Sequence, residues 1–405
     1  MNPLNNIDPL ALGQRLTEAR KARGITQGTA ADHLGLSRPT FIAIEKGSRP
    51  LKPDEIVKLA SFYGRTVHEI VRPGEPVTDL QPHLRAVVGK SHPQEAELDR
   101  AIGELQGLAD DYRELERIMS APLRQACPPE IPLNSRISPK QMGDAAAVQE
   151  RLRLGLGDQP VLQMRCILEM DVGLRIFFGG LPSSVAGMYA FVSELGGCVF
   201  INRRHPPERQ RASMLHEYGH LLVDRHTPGI DYLQHPVRKP ANEQFAEAFA
   251  MSFLMPGSSL KRHFNQIVST SGDFQVADLC RLSHFYFVSV EAMTHRLENL
   301  GLISNGTYEH LKESGFSVRK AATMLDLPSR TEPSDCYPQR YKYLAVQAFE
   351  QAKISQGQLA RFLRCDPVTA REILTACLTS DVENDDGLPE TRQLDFQQSL
   401  FGVES

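Results

Sequence analysis

Residues 211–224 read RASMLHEYGHLLVD. Met214, Leu215, Leu221 and Leu222 can bury a helix against a sheet. Pro206 and Pro207 suit that helix's start, and Glu208 suits its positive end. Four helical residues turn about 400°, so His216 and His220 share one face a turn apart. Two imidazole nitrogens so placed can reach one metal ion at about 2.0–2.1 Å. Glu217 flanks that face, where it can hold a water beside the metal and take its proton. Two histidines on an ordinary amphipathic surface helix would show the same spacing, so a third ligand decides the matter.

A tetrahedral zinc site with an open position needs three protein ligands. Residues 242–256, NEQFAEAFAMSFLMP, read as a second helix that ends at Pro256, and Glu243 falls 23 residues after His220. Glu243 is the expected third ligand. Glu247, one turn on, is expected to accept a hydrogen bond from the second nitrogen of a ligand imidazole and fix its tautomer.

The chain around this pair has 405 residues. At roughly 100–200 residues per domain, two to four units are expected. A composition of 41% hydrophobic and 23% charged residues excludes a mostly disordered or collagenous protein. No run of about 18 apolar residues exists, so no membrane span is expected. The first ten residues, MNPLNNIDPL, lack the basic-then-apolar pattern of a signal peptide. Seven scattered cysteines without a CxxC read as reduced thiols of a cytoplasmic chain. A net charge of −4 argues against coating nucleic acid with the whole surface.

Charge is unevenly spread. Residues 1–72 hold 11 Lys and Arg against 7 Asp and Glu, a local net of +4. Short helical patterns alternate there with tight turns. Thr26 caps a helix from Gln27 to Leu34, Gly35 supplies the turn, and Ser37 caps the next helix, which ends at Gly47. Residues 93–121 predict one long helix. Its apolar positions Leu98, Ile102, Leu105, Ala109, Tyr112 and Met119 suit packing on the same chain or a dimeric coiled coil. Strands are predicted at 174–178 and 198–202, and the second is expected to be an edge on which a peptide could dock. A helical unit follows at 338–378, with Ser355 and Asp366 as caps in a helix–turn–helix pattern. This unit could add a second DNA contact, pack onto the central unit, or sense a ligand. An acidic stretch around Asp381, Glu383, Asp385 and Asp386 is expected to be mobile and disfavours an added DNA surface.

Residues 24–50, GITQGTAADHLGLSRPTFIAIEKGSRP, resemble the repressor-type (Xre/Cro-like) helix-turn-helix family, which sets its third helix in the major groove of double-stranded DNA. The resemblance implies DNA contacts from Gln27, Ser37, Arg38, Thr40 and Phe41, with Lys46 and Arg49 on the backbone. Such modules bind weakly alone, so a homodimer is expected.

The two helices described first, with FVSVEAMTHRLENLGLI at 287–303, resemble the ImmA/IrrE family of bacterial metallopeptidases over roughly residues 140–305. The family pattern continues HExxH with ExxA(N/D)xFAxxLLMP; Glu247 stands where Asn or Asp is usual. The resemblance implies a zinc-dependent endopeptidase with Glu217 as general base. It also implies a helix-turn-helix repressor as protein substrate, cut in a stress or mobile-element response. Tyr232 is the candidate oxyanion stabiliser, with His226 and His235 behind it. The DNA-binding head could tether the protease to its target's operator, regulate its own gene, or be cut itself. A non-proteolytic transcription factor whose zincin fold senses a ligand remains the alternative, as does a toxin–antitoxin component.

The expected architecture is multidomain. An all-α helix-turn-helix head (1–75) precedes a linker with a long helix (76–135). An α+β zincin-like core (136–330), a helical C-terminal unit (331–380) and the acidic tail (381–405) follow.

Overall fold

The computed structural model describes residues 8–65, 67–71, 80, 84, 94–122, 127–192, 195–233, 239–330, 336–383 and 389–393. The expected break at 72–76, His235, Asp385 and Asp386 lie outside the described residues. The described chain divides into two compact units. One comprises residues 1–110 and 125–336, and the other comprises residues 111–124 and 337–405.

The head is all-helical: α1 (Pro9–Ala22), α2 (Gln27–Leu34), α3 (Arg38–Glu45), α4 (Pro53–Tyr63) and α5 (Val67–Val71). Thr26 and Ser37 cap α2 and α3 by accepting from the N–H groups of Thr29 and Thr40. Gly35 ends α2 at φ +67°, a left-handed turn that residues with a Cβ rarely adopt. Leu16, Phe41, Ile44, Leu59 and Tyr63 close the core of this small bundle.

Next comes α6 (Glu95–Ile118). Leu98, Ile102, Leu105, Ala109 and Tyr112 are all buried within the one chain, so this face packs internally and does not wait for a coiled-coil partner.

The central body holds α7 (Pro139–Arg153), α8 (Met164–Met170), β1 (Arg175–Gly179), β2 (Val185–Val192), β3 (Gly196–Asn202), α9 (Pro207–Val223), β4 (Gly229–Tyr232) and α10 (Ala241–Leu254). Its sheet has the order β1-β3-β2-β4; β1 and β3 are parallel and the other neighbours antiparallel. The expectation that 198–202 forms an edge is thus corrected: β3 is paired on both sides, and β4 is the edge that follows the histidine helix. Every residue of α9 from Ser213 to Leu222 is buried. A helix apolar around most of its circumference is one enclosed on several sides, here by β2, β3 and α10.

Two glycines set the spacing of these helices. A Cβ on Gly219 of α9 would lie 2.7 Å from Ala246 Cα of α10. A Cβ on Gly143 of α7 would overlap the Phe245 carbonyl. Bare backbone at both points lets α10 pack tightly between α7 and α9. The remainder of the body is helical: α11 (Gly257–Ser271), α12 (Val276–Tyr286), α13 (Val290–Asn299), α14 (Thr307–Glu313) and α15 (Val318–Met324).

The second unit contains α16 (Gln339–Glu350), α17 (Gln356–Phe362), α18 (Pro367–Leu378) and the antiparallel strands β5 (Thr379–Glu383) and β6 (Pro389–Gln393). Asp366 accepts from the N–H groups of Val368 and Thr369, capping α18 as expected. Glu116, which interrupts the apolar pattern of α6, is buried and paired with Arg340 at 2.8 Å. The expectation of a wholly mobile acidic tail is corrected at 379–383 and 389–393, which pair as a hairpin.

Candidate metal centre and nucleic-acid-binding head

The chemistry gathers where α9 meets α10. His216 and His220 project from one face of α9, and Glu243 from the first turn of α10. The two histidine Nε2 atoms lie 3.1 Å apart. His216 Nε2 is 3.4 Å from Oε2 of Glu243, and His220 Nε2 is 3.4 Å from Oε1. Four ligands at about 2.0–2.1 Å around a tetrahedral zinc would be about 3.3–3.4 Å from one another. The three side chains therefore bring one donor atom each within 4.8 Å of one another, close enough to share an ion, and their N, N, O chemistry suits zinc.

Tautomers follow from the surroundings. Asp224 Oδ1 lies 2.9 Å from His220 Nδ1, and Asn242 Nδ2 donates to Asp224 Oδ2 at 2.6 Å. A carboxylate accepts, so Nδ1 carries the proton and Nε2 turns its lone pair toward His216 and Glu243. The expected role of Glu247 is corrected: Glu247 pairs with Lys239, and Asp224 is the carboxylate against the imidazole of His220. Burial would raise the Glu243 carboxyl, but the two imidazoles outweigh it and hold the group well below the ordinary carboxylate range.

Glu217 lies beside this cluster, 1% exposed, and its Oε1 has no hydrogen-bond partner. The carboxylate rests against Gly187 of β2, where a Cβ would sit 3.0 Å from Oε1. Burial lifts the Glu217 carboxyl to about 7, although His216 and His220 pull it downward. A carboxyl poised near neutrality with a free oxygen can take a proton and release it again.

An open cleft of ≈ 1130 Å³ reaches His216. Asp231 and Leu233 line it. Tyr232, the candidate oxyanion stabiliser between them, is not among the residues that line the cleft. Tyr232 also lies in β4 instead of a loop. His226 packs edge-on against Phe191 at 5.0 Å.

In the head, Ser37, Arg38 and Lys46 are exposed and Thr40 is half-buried, all on or beside α3. Two expected DNA contacts are corrected. Phe41 is 0% exposed and belongs to the head's core. Arg49 is forked onto Glu55 at 2.8 and 3.1 Å, so its guanidinium is already engaged. Gln27 donates to Glu45 at 2.8 Å, and Glu45 also pairs with Arg20 at 2.6 Å. These contacts tie α1 and α2 to α3 and engage the Gln27 amide nitrogen.

Comparison with known proteins matches two stretches of the chain. Residues 11–72 match the family described as a helix-turn-helix domain, and residues 169–298 match the IrrE N-terminal-like domain of the Peptidase_M78 family. The chain therefore carries an N-terminal helix-turn-helix domain and an IrrE-like peptidase domain. It is 29% identical over 86 residues to the cryptic phage CTXphi transcriptional repressor RstR of Vibrio cholerae, covering 21% of this chain and 78% of that protein. It also aligns with the crystal structure of ComR from Streptococcus suis at 12% identity, over 91% of this chain and 87% of that one. The TM-score is 0.16, too low to bear on the fold. Among the described residues no helix is long and apolar enough to cross a membrane.

Proposed function

We propose that the protein is a cytoplasmic, DNA-binding transcriptional regulator whose central domain is a zinc-dependent endopeptidase. His216, His220 and Glu243 hold the metal, and Glu217 is the general base. The carrying observation is the convergence of His216, His220 and Glu243 within 4.8 Å of one another, beside a buried carboxylate with one free oxygen. Zinc held there would polarise a scissile carbonyl and acidify water. Glu217 takes the proton of the attacking water at Oε1 and delivers it to the departing amine. Asp224, fixed by Asn242, keeps the His220 ring in place while this happens.

The substrate is a protein, and a helix-turn-helix repressor is the proposed class. The head, similar in sequence to a phage repressor, brings the peptidase to duplex DNA where such a target sits. Arg38, Ser37 and Thr40 meet the groove and Lys46 the phosphates. A homodimer would supply the affinity that one head lacks. The test compares new protein N-termini in cells carrying wild type or Glu217→Gln. Termini that depend on Glu217 support the reading, and identical sets in the two strains contradict it.

A further inference from the structure

The cleft that opens on His216 has an uneven charge. Among its lining residues, Glu247 is paired with Lys239, and Asp144 accepts from Arg296 at 3.1 Å and from Ser252. Those two acids are therefore neutralised within the wall; with Asp231 the lining holds three acids against five Lys and Arg. Lys140, Arg209 and Lys261 also line it. All three are exposed, and none of their side chains has a hydrogen-bond or ion-pair partner among the described residues. The lining also carries apolar Ala212 and Met251, both half-buried, and exposed Val148. At ≈ 1130 Å³ the cleft exceeds the roughly 300–1,000 Å³ of small-molecule pockets. That size suits several residues of a peptide.

The helix provides a ruler. Arg209, Ala212, Ser213 and His216 follow one another on the cleft-facing side of α9. Seven residues at 1.5 Å each put the Arg209 backbone about 10 Å along the axis from His216. An extended peptide covers about that distance in three residues.

Resting on the peptidase reading above, we propose that this cleft selects acidic peptide segments. One carboxylate of the substrate meets Arg209 about three residues from the cleaved bond, and further acidic side chains meet Lys140 and Lys261. An apolar side chain of the substrate packs on Ala212 and Met251. Exposed charges so arranged act on selection and on the rate of encounter more than on maximal affinity.

The test uses full-length, zinc-loaded Glu217→Gln protein and fluorescein-labelled decapeptide pools. The pools share apolar positions and differ in carrying Asp and Glu, their amides, or Lys at the flanking sites. The acidic pool should bind most tightly, and more weakly as salt rises. Arg209→Glu and Lys261→Glu should each weaken it about two- to fivefold, and together about tenfold. Arg209→Lys should keep most of the binding. Equal binding of acidic and amide pools, or indifference to both charge reversals, overturns the proposal. So does displacement of the acidic pool by a short DNA duplex from these cations in place of competition by free acidic peptide. Cleavage of the same pools by wild type separates the two readings. Wild type that cuts all pools equally refutes acidic selection and leaves the peptidase standing. Wild type that cuts none, with acidic binding intact, refutes the peptidase and supports the selection.

Discussion

His220 and Asp224 stand one helical turn apart at the end of α9, with Nδ1 and Oδ1 separated by 2.9 Å. The contact fixes which nitrogen of His220 faces Glu243. Removing it by Asp224→Ala should leave the three ligands present but their geometry loose. Zinc affinity is expected to fall roughly 10–100-fold, measured by competition with a chelating dye. Unchanged affinity would mean that the ring is oriented by something other than Asp224.

Gly219 lies between the two histidines and faces Ala246 of α10. Gly219→Ala puts a methyl 2.7 Å from the Ala246 Cα, which is backbone and cannot turn aside. The helices must separate, and Glu243 withdraws with α10. Stability should drop by about 1–3 kcal/mol, and zinc affinity should fall with it. Thermal melts of the metal-free and zinc-loaded variant check both effects. A variant that melts and binds zinc like wild type would contradict the close-packing account.

Glu217 must be a carboxylate to accept a proton, and burial lifts its carboxyl to about 7. Below that value it is protonated and cannot act as a base. Peptidase activity should therefore rise with pH and level off. A nearby dication favours the carboxylate, so the inflection should lie at or below about 7. Activity that instead grew as pH dropped from 7 would exclude Glu217 as general base.

The head separates contact from core. Arg38→Ala and Lys46→Ala should weaken binding to duplex DNA, and each should lower the steepness of its salt dependence by about one unit. Phe41→Ala should instead cost about 3–5 kcal/mol of stability, because that ring is wholly enclosed. Gel shifts across a salt series, beside thermal melts, distinguish them. A Phe41→Ala head that folds fully and loses DNA binding would restore Phe41 to the groove.

The helices were readable because their signals are local. Caps at Thr26, Ser37 and Ser355 and the four-residue spacing of His216 and His220 depend on near neighbours alone. The short strands were less so. β2 carries Gly187 in its middle and β4 is four residues long, so their pairing rests on distant partners that no local pattern reveals. Glu243 and Glu247 share a helical face, yet that spacing could not tell which neighbour each would meet; Lys239 claimed one and the histidines the other. Two misreadings had a usable signal. Phe41 and Ile44 stand three residues apart on the core face of α3, and Asp224 follows His220 at the same interval as His220 follows His216.

Zinc stoichiometry by mass spectrometry, on extensively dialysed full-length protein, tests the convergence of His216, His220 and Glu243 most directly. Wild type and Glu217→Gln should each retain about one zinc per chain, while His216→Ala and Glu243→Ala should retain almost none. Equal metal content in all four proteins, or none in wild type after zinc loading, would contradict a shared site on α9 and α10.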